Sequence, residues 1–162
     1  TTGVDPVTRQ DFWQLVIKLV AQPVARRSSL VTHHSQPEGV SVIISTPYMD
    51  EASRCHRVGF MKNGTIIAED TPSKLRARLA GRIIELRGKP LHILRHTAHQ
   101  DRDVEDVQAF GDRLHLRVRE DKAQAVLKRL ESEIRSVGGE IDELRLIPPA
   151  LEDVFIALSE EK

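Results

Sequence analysis

The sequence contains a single cysteine, Cys55, and it carries no net charge, because 24 lysine and arginine residues balance 24 aspartate and glutamate residues. One cysteine excludes an intrachain disulfide and is typical of a reducing compartment. The balanced charge gives no electrostatic indication of binding to nucleic acid or to an anionic membrane. No apolar run approaches the roughly 20 residues of a membrane-spanning helix, and no signal-peptide pattern opens the chain. We expect any membrane association to be made from the cytoplasmic side, through a partner.

The sequence also lacks a phosphate-binding loop of the form Gly-x-x-x-x-Gly-Lys-[Ser/Thr]. Without that loop, no backbone nest and lysine can hold the phosphates of a nucleotide. Phosphoryl transfer requires a phosphate cradle, a metal ligand and a water-positioning group together. We therefore expect the chain alone to bind no ATP and no magnesium, and to be catalytically inactive.

The first part of the chain contains signals for a helix and for a buried strand. Asp5 and Pro6 are suited to the N-cap and the first helical position of a helix with one apolar face. The segment Gln22–Gly39 has no consistent period and indicates a loop or an insertion. Val40–Thr46 is β-branched and almost entirely apolar, which predicts a strand buried on both faces of a parallel sheet.

A hairpin is indicated by Asn63-Gly64, which separates the predicted strands Val58–Lys62 and Thr65–Glu69. A short helix around Met49–Cys55 should precede the hairpin. Thr71-Pro72 should begin a further helix, which ends near the glycine at position 81.

The remainder of the chain changes character, and we place a domain boundary near Gly81, which divides the chain into residues 1–81 and 82–162. Strands and helices alternate in the order β-α-β-β-α-β, which is typical of an α+β ferredoxin-like sandwich. The six elements of this pattern are Ile83–Arg87, Leu91–His99, Val104–Phe110, Leu114–Val118, Ala123–Val137 and Ile141–Ile147. An amphipathic helix should follow them.

Several residues allow a chemical reading beside a structural one. Asp50 and Glu51 could serve acid–base catalysis, but in a first helical turn they more simply complement the helix dipole. His92, His96 and His99 recur at i, i+4 and i+7, so on a helix they share one face, and this spacing would suit a metal. No cysteine or acid is placed to complete the ligand set, so we expect no metal site. Cys55 is better explained as a small apolar residue than as a nucleophile.

Four stretches, in this order, resemble ATP-binding subunits of ABC-type exporters of drugs and antibiotics. Thr1–Pro6 resembles the D-loop segment that follows the Walker B acids. Val42–Ala52 resembles the strand and switch region, and Arg57–Pro72 resembles the hairpin and helix start beyond it. Pro149–Phe155 resembles the C-terminal tail of such subunits.

The resemblance implies an α/β fold whose residues 1–81 are part of a P-loop ATPase core, with residues 82–162 as a C-terminal accessory domain. It implies that Thr2, Gly3, Val4 and Asp5 form the D-loop that reaches a partner's nucleotide site, and that Ser45, Thr46 and Pro47 form the switch region. The Walker A, signature and Walker B motifs would all lie before Thr1.

The resemblance also implies ATP and magnesium in the full subunit, a membrane-spanning permease, a second nucleotide-binding domain, and a place at the inner face of the cell membrane. The family carries a histidine where this chain has Pro47, so no catalytic residue is intact here. The alternative from another class is a stand-alone ferredoxin-like module for regulation or dimerisation, and a weaker one is a metal-binding protein that uses the histidine-rich helix.

Overall fold

A computed structural model describes residues 3–21 and 40–160, and the chain divides into two compact units between Tyr48 and Met49. The first unit contains helix α1 (Pro6–Ala21). One carboxylate oxygen of Asp5 accepts hydrogen bonds from the backbone N–H groups of Val7 and Thr8, both at 3.0 Å. The predicted N-cap is therefore confirmed. No helix in the described ranges is long and apolar enough to cross a membrane.

The predicted strand Val40–Thr46 is wrong for this structure. Its residues form no strand, and neither of the two sheets found in the described part of the chain includes them. Ile43 is 98% exposed, and Val40 and Val42 are exposed as well. An apolar strand of a parallel sheet forms only when neighbouring strands accept its hydrogen bonds and helices cover both faces. The segment Gln22–Gly39 lies outside the described residues.

The second unit opens with helix α2 (Met49–Ala52) and the antiparallel hairpin of β1 (Val58–Lys62) and β2 (Thr65–Asp70). Asn63 and Gly64 have φ values of 51° and 79°, as a type I′ turn requires. The Asn-Gly prediction is therefore confirmed. Helix α3 (Pro72–Ala77) follows, and the Thr71 hydroxyl accepts a hydrogen bond from the Lys74 N–H at 3.3 Å.

The rest of the unit is a four-stranded sheet with three helices. The strands lie in the order β4-β5-β3-β6, and all neighbours are antiparallel. The predicted sequence of elements β-α-β-β-α-β is present, and a last helix follows it. The elements are β3 (Ile83–Lys89), α4 (Leu91–Gln100), β4 (Val104–Phe110), β5 (Arg113–Val118), α5 (Ala123–Ser136), β6 (Glu140–Ile147) and α6 (Leu151–Glu160).

Two separate hydrophobic clusters form because the sheet has two faces. One face packs against α4 and α5, where Leu94, Leu130 and Ile134 are completely buried. The second cluster joins α6 to the hairpin, α3 and Ile83 at the start of β3. The alternation of buried residues along β5 reflects this packing of one face by the helix pair.

A buried ion-pair network joins α4 to α5. The Arg129 guanidinium donates to both carboxylate oxygens of Asp101, at 2.8 and 2.9 Å, and to Asp103 at 2.7 Å. Burial raises the pKa of Asp101, but the hydrogen bonds from Arg129 and from the Asp103 N–H, together with the charges of Arg129 and Arg102, outweigh burial, so the pKa lies below its usual range. The ionised carboxylate is therefore the form that the fold requires.

We predict that Arg129→Ala lowers the free energy of unfolding by about 3 kcal/mol at pH 7, because two nearly buried carboxylates lose their cation. Arg135→Ala is the matched control on the same helix, since its pair with Glu131 is exposed on both sides, and it should cost below about 1 kcal/mol. Urea unfolding monitored by circular dichroism measures both values.

The same network predicts a pH dependence with a defined sign. A carboxyl group with a lowered pKa in the folded state contributes stability above its unfolded pKa of about 3.9, and this contribution is lost as the pH falls through the folded value. The difference in free energy of unfolding between the wild type and Arg129→Ala should therefore become smaller as the pH falls below about 5. The same difference in free energy of unfolding at all pH values would contradict the ionised state of Asp101.

Candidate functional site

The predicted D-loop stretch lies before α1, and Thr2 falls outside the described residues. Gly3 is exposed and has a φ of 86°, which favours glycine, and Val4 is 36% exposed. The second carboxylate oxygen of Asp5 accepts the Thr8 hydroxyl. The hydrogen bonds from Thr8, the side-chain bond foremost, lower the pKa of Asp5. Asp5 is thus an ionised, exposed carboxylate with one oxygen that caps the helix and one that accepts the Thr8 hydroxyl.

The predicted switch stretch precedes α2 as an irregular segment. Ser45 and Pro47 are exposed, and the hydroxyl of half-buried Thr46 accepts a hydrogen bond from the Tyr48 N–H at 3.1 Å. Pro47 has no side-chain donor and no backbone N–H. The position at which the resemblance implies a histidine therefore offers no hydrogen-bond donor.

Arg9 connects the two stretches within the first unit. Its guanidinium carbon lies 4.5 Å from the centre of the Tyr48 ring, a cation–π contact. Its Nη2 also donates to the backbone carbonyl of Val4 at 3.4 Å. Arg9 was not predicted to take part in either stretch. Its partner Tyr48 lies beyond the segment Gln22–Gly39 in the sequence, so no local spacing could indicate this contact.

The candidate catalytic acids and the cysteine occupy structural positions. Glu51 is buried in α2 and Asp50 is exposed on the same turn. Burial, and secondly the charge of Glu51, raises the pKa of Cys55, whose thiol contacts the Glu51 carbonyl oxygen at 3.7 Å. A raised pKa disfavours the thiolate, and the thiolate is the nucleophilic form.

The three candidate metal ligands of α4, which are His92, His96 and His99, are exposed on that helix. His96 lies 3.5 Å from the side-chain nitrogen of Gln100. Across residues 3–21 and 40–160, no group of three or more histidine, cysteine, aspartate or glutamate side chains is placed to hold a metal ion.

A cluster of charged side chains beneath α6 was also not predicted. Glu85 on β3 is 3% exposed and accepts hydrogen bonds from Arg113 at 3.0 Å and from Arg145 at 3.0 Å. His115 on β5 lies between two carboxylates, with Nδ1 2.8 Å from Asp153 on α6 and Nε2 3.7 Å from Glu85. Burial raises the pKa of Glu85, but hydrogen bonds from Arg145 and Arg113 outweigh it and the pKa is lowered.

Comparison with known proteins assigns the chain to a family. Residues 71–159, more than half of the chain, match the family model described as ATP-binding protein DrrA1-3-like, C-terminal domain. The matched region begins at the cap of α3 and includes the four-stranded sheet and most of α6.

Curated relatives extend the similarity to the first unit. The chain is 27% identical over 164 residues to the daunorubicin resistance ATP-binding protein DrrA2 of Streptomyces coeruleorubidus, covering 98% of this chain and 45% of that protein. It is 31% identical over 163 residues to the Nod factor export ATP-binding protein I of Paraburkholderia xenovorans, covering 98% of this chain and 44% of that protein.

A third relative, the probable multidrug ABC transporter ATP-binding protein YbhF of Escherichia coli, is 36% identical over 80 residues, covering 49% of this chain and 11% of YbhF. The chain therefore spans less than half the length of the curated relatives it matches. The resemblance inferred from the four sequence stretches is confirmed: the chain belongs to the DrrA1-3-like family of ABC transporter ATP-binding proteins, and it corresponds to their C-terminal part.

Proposed function

We propose that this chain acts in the ATP-binding subunit of an ABC exporter, as the part that follows the nucleotide-binding motifs. The match of residues 71–159 to the C-terminal domain model is the observation that carries the proposal. In such a subunit Thr2, Gly3, Val4 and Asp5 would form the D-loop, and Ser45, Thr46 and Pro47 the switch region. Residues 1–81 would then complete the ATPase core, and residues 82–162 would be the accessory domain.

The accessory domain is best described as a ferredoxin-like sandwich. The strand order β4-β5-β3-β6, with antiparallel neighbours throughout, supports this description. Its two crossover helices, α4 and α5, share one core with one face of the sheet, as this topology requires.

The first unit has the surface expected of part of a larger core. Val7 is 70% exposed and Ile17 is 58% exposed on α1, and Ile43 is 98% exposed. Exposed apolar patches mark surfaces that bind another protein surface. We propose that the nucleotide-binding part of the same subunit covers these side chains.

The full subunit would use ATP and magnesium, pair with a second nucleotide-binding domain, and associate with a membrane-spanning permease at the inner face of the cell membrane. The relatives named for resistance to daunorubicin, for Nod factor export and for multidrug transport support an exporter. Drug-like or lipid-like molecules are the proposed class of substrate.

We predict that the 162-residue chain alone does not bind ATP with magnesium, because its sequence holds no phosphate cradle. Isothermal titration calorimetry with the purified chain should show no heat of binding at micromolar to millimolar nucleotide. Saturable micromolar binding would contradict the assignment of nucleotide binding to residues outside this sequence.

We further propose that the subunit has a weakened hydrolytic site and works in an asymmetric pair whose other site turns over ATP. The reason is Pro47, which cannot donate a hydrogen bond to the γ-phosphate or the attacking water. Tyr48 is the residue that could substitute for the histidine, but its ring contacts Arg9 in this structure.

In the full subunit, Pro47→His should raise the rate of ATP hydrolysis by about tenfold or more, since one donor to a transition state contributes roughly 100-fold. Tyr48→His is the matched control, because it places the same imidazole one residue further and should not raise the rate. Phosphate release at saturating ATP measures both variants. A wild type that already turns over at about 1–100 per second, with no response to Pro47→His, would contradict the weakened site.

A stand-alone regulatory or dimerisation module is the second candidate function. It is favoured by one observation, namely that the core formed by α4, α5 and the sheet is made entirely of residues from position 84 onward. This alternative predicts that residues 82–162 form a stable dimer by themselves. Sedimentation equilibrium that shows a monomer at all concentrations would exclude the dimerisation form of it.

A further inference from the structure

Helix α6 packs against the hairpin and lies on the face of the four-stranded sheet opposite to the core of α4 and α5. Its apolar side chains Leu151, Val154 and Ala157 are buried in the cluster that also contains Phe60 of the hairpin. The rings of Phe60 and Phe155 lie 5.4 Å apart in an edge-to-face arrangement. The cluster beneath α4 and α5 contains no residue of α6.

Polar contacts attach α6 to the sheet at both ends. Near its N-terminus, Asp153 accepts the Ala150 N–H at 2.7 Å and lies 2.8 Å from Nδ1 of His115 on β5. Near its C-terminus, Glu160 accepts a hydrogen bond from Arg117 on β5 at 2.9 Å. The side chain of Asp153 is 4% exposed, so this carboxylate has exchanged water for these two partners.

A third contact attaches α6 to the hairpin. The ammonium group of Lys62 on β1 donates to the backbone carbonyl of Ser159, which belongs to the last turn of α6. A cation at the C-terminal end of a helix is favoured by the helix dipole. Helix α6 is thus held by the hairpin on one side and by β5 on the other.

Because of these contacts, the free energy needed to detach α6 differs from the free energy needed to unfold the sheet. If α6 leaves, the hairpin and α3 lose the helix that covers Phe60 and Leu75, whereas α4 and α5 keep all the residues of their own core. Regions of a protein that do not share a core can open independently of each other.

We propose that α6 is a releasable strap that couples the hairpin to the four-stranded sheet, with the His115–Asp153 contact as its latch. Removing the latch lets α6, the hairpin and α3 open together while the sheet and its two crossover helices stay folded. Because Ala52 of α2 belongs to the same cluster, the strap also connects the sheet to the helix that begins two residues after Pro47. The inference rests on contacts within the second unit and holds whether or not the proposed function is correct.

The variant Asp153→Asn tests the strap in the complete chain, since an asparagine retains one acceptor oxygen and loses the charge. Hydrogen–deuterium exchange should be about tenfold faster or more in α6, β1, β2 and α3, because a charged hydrogen bond is lost. Exchange in α4 and α5 should be unchanged. Glu152→Gln is the matched control, since it removes the same charge from the neighbouring position of the same helical turn, and it should leave all these rates as in the wild type.

An increase by the same factor in α4 and α5, or no increase in the hairpin, would overturn the proposal. If Asp153→Asn does not fold, the wild type provides the test by native-state exchange at low denaturant. Amides of α6 and of the hairpin should then share one opening reaction, of lower free energy than that of α4 and α5. A single opening reaction for all of these elements would equally overturn the proposal.

Discussion

The four-stranded sheet has two faces, and the way in which they are covered determines the rest of the second unit. Helices α4 and α5 cover one face and form a core in which Leu94, Leu130 and Ile134 are completely buried. The other face is shared between α6 and a row of charged side chains, in which Glu85 lies between two arginines. A buried carboxylate is tolerated only where it is paired and hydrogen-bonded, and Asp153 of α6 meets this condition through His115 of β5 and the Ala150 N–H.

Helix α6 also explains why the compact unit begins at Met49 and not at the predicted domain boundary near Gly81. The hairpin and α3 precede that boundary in the sequence, but their apolar side chains pack with α6 from the end of the chain. We therefore keep the division at Gly81 as a proposal about the ATPase core and its accessory domain. In the structure, the hairpin and α3 belong to the same compact unit as the sheet.

The elements that are determined by residues close together in the sequence could be predicted. The Asp5 cap, the Asn63-Gly64 turn and the order of strands and helices after Gly81 all follow from local patterns, and the structure contains them. The strand Val40–Thr46 was predicted wrongly because its pattern assumes neighbouring strands that are absent from the described residues.

The contacts that the sequence did not reveal join residues far apart in the chain. His115 and Asp153 are 38 positions apart, and Glu85 and Arg145 are 60 positions apart. Such pairs depend on strand register and on the placement of α6, which no local periodicity specifies. Arg9 was missed for a related reason, because its partner Tyr48 lies beyond the long segment Gln22–Gly39.

The family assignment gives the separate observations a common explanation. The stretches proposed as D-loop and switch region occur in order, and the match to the C-terminal domain model covers the sheet. The first unit exposes apolar side chains that the proposed larger core would cover. If Pro47 occupies the proposed switch position, it replaces the side-chain donor that this position requires.

The most direct measurement is association of this chain with a separately produced polypeptide that carries the Walker A, signature and Walker B motifs of the same subunit. We predict a complex on size-exclusion chromatography, in which hydrogen–deuterium exchange becomes slower in α1 and in residues 40–48, around Ile43. Absence of a complex, or a complex in which these two segments exchange as fast as in the free chain, would contradict the account.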